Sequence, residues 1–215
     1  MAKLIKTYEE VRDQMLPGDV LAFGGKGNLS DTIKFFTDGE VSHVGIVAKT
    51  RMLDGLSGRY FNELIESTSL RGFNGVVKQR ISDVIHSYEG EIWWLPLSEE
   101  VRRKFNQEKF FNFLYAQIGK FYDTQQVFWS AIDFMDNFQE LTKNLENFEK
   151  FFCSELVVAG LEEAGVLSNI NASEITPMQI CQWKIFKPDY LQLKGDQRIE
   201  IQGFNSKKPS TEEEA

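Results

Sequence analysis

Thiol and imidazole chemistry has few places to reside in this chain. Two cysteines, Cys153 and Cys181, and two histidines, His43 and His86, are all it holds in 215 residues. Cys153 stands in Phe151-Phe152-Cys153-Ser154-Glu155, directly before a helical pattern over 156–164 that Gly165 would stop. That places Cys153 in the first turn of a helix, where unpaired backbone N–H groups stabilise a thiolate and can donate to an oxyanion formed beside the sulfur. Most lone cysteines are small buried hydrophobes, and position alone does not separate the two readings. Cys181, on the apolar stripe of Met178-Gln179-Ile180-Cys181-Gln182-Trp183, reads as core.

A thiolate nucleophile needs a base. His43 lies inside Val41-Ser42-His43-Val44-Gly45-Ile46-Val47-Ala48, the best strand pattern of the first half. With Ser42 and Gly45 as small neighbours, its side chain can face a groove while Val44 and Ile46 face the core; a satisfied, half-buried histidine fits the same pattern. His86 falls in a polar turn before a strand and reads as surface. A third polar group usually orients the base. Glu66, in Leu64-Ile65-Glu66-Ser67-Thr68, is late on a strand among apolar residues, either paired there or exposed at the strand end. Glu63 falls on the opposite face by alternation and is expected in solvent.

The elements that must position these residues can be read in outline. The first residues, MAKLIKTYEEVRDQM, predict a helix. Leu16-Pro17-Gly18-Asp19 is a turn, followed by a strand over 20–23 and a glycine-rich loop over 24–28. Strands follow at 41–48, 61–67, 76–77 and 92–97. Ser98 caps a helix running to Gly119. Apolar residues recur every three or four positions over 124–150, which predicts one or two helices, and the Cys153 helix comes next. Helices, then strands, then helices define an α+β class with a mainly antiparallel sheet. The length fits a single domain over 1–204 with a helical insertion over 124–150, and a polar, disordered tail over 205–215.

Composition narrows the function. The chain carries 24 basic and 32 acidic residues, a formal charge of −8, which argues against a protein that coats nucleic acid or docks by charge on an anionic surface. Two cysteines cannot build a disulfide-rich scaffold or a four-cysteine zinc site. The 18 phenylalanines make the core or a binding surface aromatic. No window approaches the roughly 18 apolar residues of a membrane span, and no secretory apolar run is visible, so no integral membrane segment and a reducing, cytoplasmic setting are expected. A protein released by lysis or carried in a virus particle would read the same.

Taken in order, five segments carry a family resemblance: Pro17-Gly18-Asp19-Val20-Leu21, Ser42-His43-Val44-Gly45-Ile46-Val47, Ile65-Glu66-Ser67, Gly119-Lys120-Phe121-Tyr122-Asp123 and Phe152-Cys153-Ser154-Glu155-Leu156-Val157. Thr176-Pro177 fits the same pattern. Over about residues 16–190 the chain resembles the YiiX/YebB-like branch of the NlpC-type cysteine hydrolases, permuted papain-like enzymes that are similar to the lecithin:retinol acyltransferase group. The resemblance implies a circularly permuted papain-like fold, a small antiparallel sheet with the cysteine helix packed on it. It implies Cys153 as nucleophile, His43 as general base and acid, and Glu66 as the orienting group. Tyr122 would lie near the thiol and meet the substrate or its oxyanion, with Ser42 and Ser154 completing the substrate-binding set. No cofactor and no metal are implied. The long 124–150 segment and the missing signal peptide depart from the family pattern.

The activity so implied is hydrolysis of an amide in a small peptide or a cell-wall peptide fragment. A lipid thioesterase or acyltransferase using the same triad, and a non-catalytic structural module, are the alternatives.

Overall fold

Val20 and Ala22 turn to one side of their strand and Leu21 and Phe23 to the other, and all four are buried. A strand that is apolar on both faces belongs in the middle of a sheet covered on both sides. The computed structural model, which describes residues 2–3, 6–25, 40–70, 73–120, 146–172 and 175–209, has that arrangement. In chain order its elements are β1 (Ala2–Lys3), α1 (Tyr8–Val11), β2 (Val20–Gly25), β3 (His43–Val47), β4 (Met52–Leu53), β5 (Tyr60–Phe61), β6 (Glu63–Leu70), β7 (Phe73–Arg80) and α2 (Ile81–Ser87). There follow β8 (Gly90–Leu95), α3 (Glu99–Arg102), α4 (Gln107–Gln117), α5 (Glu146–Glu163), α6 (Pro177–Gln182) and β9 (Tyr190–Lys194).

Seven of the strands form one sheet in the order β1-β9-β8-β2-β3-β6-β7, and β4 and β5 pair as a separate hairpin. Every pairing is antiparallel except β1 with β9. The α+β class with a mainly antiparallel sheet is therefore the observed one. One face packs Val20, Ala22, Val44, Ile46 and Ile65 against Phe110, Leu114 and the α5 residues Cys153, Val157 and Leu161. The other face packs Leu21, Phe23, Val47 and Leu64 under Tyr8, Val11, Ile81 and Val84.

Several elements differ from expectation for local reasons. Residues 2–3 join the sheet instead of a helix, and the first helix starts at Tyr8 because the Glu10 carboxylate accepts the Thr7 backbone N–H at 2.8 Å. The helix expected over 98–119 breaks into α3 and α4, since the Asn106 side chain accepts from Lys109 N–H at 3.1 Å and starts a new helix. The stretch holding His86 is the last turn of α2, not a turn of irregular chain. The opening of the expected disordered tail is tied down. Asn205 N–H donates to Cys181 C=O at 3.1 Å, and Lys207 C=O accepts from Lys184 N–H at 2.7 Å. Of the segment 124–150, residues 124–145 lie outside the described residues and 146–150 belong to α5.

The Pro-Gly-Asp turn is an anchor. Asp19 is fully buried, and its Oδ2 accepts from Leu16 N–H and the Trp94 indole, each at 2.9 Å. Its Oδ1 accepts from Leu97 N–H at 2.9 Å and pairs with Arg102. Gly18 has φ +88°, and a Cβ there would sit 2.5 Å from the Phe105 ring. The motif thus fastens β2, β8 and α3 to one another.

Candidate active site

The β3–β6 ladder is short, pairing Ile46 with Ile65 and Val47 with Leu64. Just beyond its end stand His43 and Glu66. The His43 Nε2 is 2.6 Å from Glu66 Oε2, and the two side chains are 18% and 6% exposed. Gly45 makes this approach possible: a Cβ on it would meet Leu64 at 3.1 Å and the Glu66 Cβ at 3.2 Å. The imidazole rests on Phe23, ring centroids 5.2 Å apart.

The second partner of the imidazole is the Cys153 thiol of α5, to which it is hydrogen-bonded. With Nε2 on Glu66, Nδ1 is the nitrogen left for the sulfur. Burial pushes the His43 pKa down, but the negative charge of a Cys153 thiolate and of Glu66, with their hydrogen bonds, outweighs it. The result is a midpoint raised from 6.5 to about 10. The site therefore favours the protonated ring of His43. The three residues expected to act together do meet.

The helix contributes differently from expectation. It begins at Glu146, seven residues before Cys153, so the cysteine occupies the third turn of an 18-residue helix. Backbone N–H groups that deep are bonded within the helix, so that of Cys153 is spent and unavailable to an oxyanion. Cys153 is also fully buried.

Gln79 on β7 escaped the sequence reading. Its Nε2 donates to Glu66 Oε1 at 2.5 Å, so both carboxylate oxygens are engaged, one by the imidazole and one by an amide. Gln79 pairs directly with Leu64, which puts it diagonal to Glu66 on the same face. Strand register brings the two together, and no local motif announces it.

Of the expected substrate-binding residues, Ser42 is 7% exposed; its hydroxyl donates to Phe23 C=O at 3.3 Å, and it is also hydrogen-bonded to Tyr88. Burial holds the Tyr88 phenol well above its usual range. Ser154 is fully buried and donates to Ile175 C=O, tying α5 to the segment before α6. Tyr122 lies outside the described residues. Glu63, expected in solvent, is 7% exposed; the Tyr115 hydroxyl donates to it and Lys78 Nζ is 4.0 Å away. Cys181 is fully buried in the core, where burial raises its thiol far above the usual range. His86 is exposed. Among the described residues no group of three or more His, Cys, Asp or Glu is arranged to hold a metal ion, and no helix is long and apolar enough to cross a membrane.

Compared with known protein families and curated sequences, the chain matches no family model and no curated sequence at a significant level.

Proposed function

We propose that the chain is a cysteine hydrolase of the permuted papain-like kind, an amidase or peptidase that uses Cys153, His43 and Glu66. One observation carries the reading: a single imidazole bridges a carboxylate and a thiol that lie 87 residues apart in sequence. A half-buried histidine with only a structural role needs one partner; this one is bonded to both a nucleophile and an orienting acid.

In this mechanism the Cys153 thiolate attacks the amide carbonyl carbon, forming the C–S bond and an oxyanion. Collapse of the oxyanion breaks the C–N bond, and the His43 imidazolium gives its proton to the departing amine. The neutral imidazole then takes a proton from water. The hydroxide attacks the thioester and restores thiolate and imidazolium. Glu66 keeps the ring oriented and holds its positive charge throughout, and Gln79 holds Glu66. Since the Cys153 N–H is spent within α5, the oxyanion donor must come from another group, and Tyr122 is the residue that the family resemblance offers. The substrate class is a small peptide or a cell-wall peptide fragment.

The test is turnover of a panel of peptides and muropeptide fragments, with mass measurement of the thioester. The wild type should show turnover that Cys153→Ala and His43→Ala abolish. Unchanged turnover in Cys153→Ala would sink the mechanism, and a persistent acyl adduct formed only from lipid esters would move the substrate to lipids.

A further inference from the structure

Every large apolar side chain that stands exposed among the described residues sits on one hairpin. Leu53 is 61% exposed, Leu56 100% and Tyr60 56%. Leu53 and Tyr60 face each other as register partners of β4 and β5, and Leu56 lies in the turn between them. Single exposed apolar residues are ordinary on a protein surface, whereas three on one ten-residue protrusion are not.

The turn is built to hold this shape. The Asp54 carboxylate accepts from Leu56 N–H at 3.1 Å, from the Ser57 hydroxyl at 2.7 Å and from Arg80 at 3.0 Å. Gly58 N–H donates to Asp54 C=O, and Asp54 N–H to Arg59 C=O, each at 2.8 Å. At the base, Asn62 accepts from Arg51 N–H at 2.9 Å and donates to Arg12 C=O at 2.8 Å, and Arg12 also reaches Tyr60 C=O. An ordered turn that points a leucine wholly into water forgoes the burial that a floppy one could find.

Charge indicates the partner. The segment 49–61 holds three basic residues, Lys49, Arg51 and Arg59, against one acid, Asp54, a net +2 in a chain of −8. The nearby acids are occupied: Asp54 by Arg80, Glu63 by Tyr115, and Glu9 by Arg12 at 2.9 Å. Arg51 and Arg59 are exposed and flank the apolar tip. Apolar and cationic side chains are interleaved on the hairpin, with Arg51 before β4 and Arg59 beside Tyr60 in the turn, a pairing that suits an interface where acyl chains meet anionic phosphates.

We propose that the β4–β5 hairpin docks the protein on an anionic lipid surface, with Leu53, Leu56 and Tyr60 entering the headgroup region and Arg51 and Arg59 meeting the phosphates. This stands apart from the catalytic reading and departs from the expectation drawn from net charge, because a local patch and not the global balance would meet the surface.

Vesicle co-flotation tests it. The wild type should float with vesicles of equimolar phosphatidylcholine and phosphatidylglycerol and far less with phosphatidylcholine alone. Leu56→Asp should weaken partitioning by at least about tenfold, and the Arg51→Glu, Arg59→Glu pair should abolish the preference for the anionic vesicles. Leu56 packs against nothing, so circular dichroism melting of that variant should match the wild type. A wild type that stays off the anionic vesicles overturns the proposal, as does equal flotation of a folded Leu56→Asp. Self-association that Leu56→Asp abolishes, without vesicle binding, would give the hairpin to a second copy of the chain and likewise overturn it.

Discussion

The charge state of His43 can be measured without knowing any substrate. The chain has only two histidines, so the imidazole region of a nitrogen–proton NMR spectrum contains one site residue and one exposed reference, His86. His43 should titrate with a midpoint of about 10. Glu66→Gln keeps the shape but deletes one anion and turns one acceptor oxygen into a donor. Opposite charges about 4 Å apart interact by about 4 kcal/mol at an effective dielectric of about 20. At about 1.4 kcal/mol per pH unit this is roughly three pH units, so the midpoint should fall to the order of pH 7. Cys153→Ala should lower it as well. In the double variant only burial remains, and His43 should titrate below the free value of 6.5. The sign carries into stability. Because the folded midpoint is raised, the protonated ring stabilises the fold fully below pH 6.5, and this is lost as pH rises from 6.5 through about 10. In Glu66→Gln the loss should be complete several units earlier, which denaturant melts across pH would show. If wild-type His43 titrates near 6.5 and neither substitution moves it, the ion-pair account of the site is wrong.

Alkylation with iodoacetamide near neutral pH should modify Cys153 and leave Cys181 intact, with Cys181→Ser reacting as the wild type does; peptide mass mapping would reveal the opposite pattern. Gly45→Ala should crowd Leu64 and Glu66, costing about 1–3 kcal/mol in denaturant melts and lowering the His43 midpoint, and an unmoved midpoint would remove Gly45 from the site. Gln79→Ala leaves a buried carboxylate oxygen without its donor and should cost about 1–3 kcal/mol, whereas a variant as stable as the wild type would show that the amide contact is idle. Asp19→Asn strips the partly buried Arg102 of its fully buried charge partner and should destabilise by about 3–5 kcal/mol; an unchanged melting temperature would mean that the anchor lies elsewhere.

What could be read from residues alone follows from how local each feature is. β2, β3 and β8 each contain a short apolar run, enough to declare a strand. β9 was not foreseen because Tyr190-Leu191-Gln192-Leu193-Lys194 is short and makes sense only beside β8. β1 is two residues long and exists only through its parallel partner. For the site, type and spacing singled out Cys153, His43 and Glu66 but left each with an ordinary alternative; the family pattern joined them. Gln79 and the burial of Glu63 depend on the β6–β7 register, which is fixed across the whole sheet and leaves no mark within a few residues. The helix start was misjudged because the apolar pattern at Cys153 strengthens there, while the helix itself begins two turns earlier.

The complete burial of the Cys153 sulfur gives the protein an internal clock. A fully buried sulfur is modified only in the instants when the structure opens over it. At low concentrations of peroxide or a small alkylating agent, inactivation should rise in proportion to reagent; at high concentrations it should level off at the opening rate itself. That plateau would be common to chemically unrelated reagents of similar size. On the proposed mechanism it would also set an upper bound on how fast any substrate can be admitted, so a chemical quench would time a conformational step.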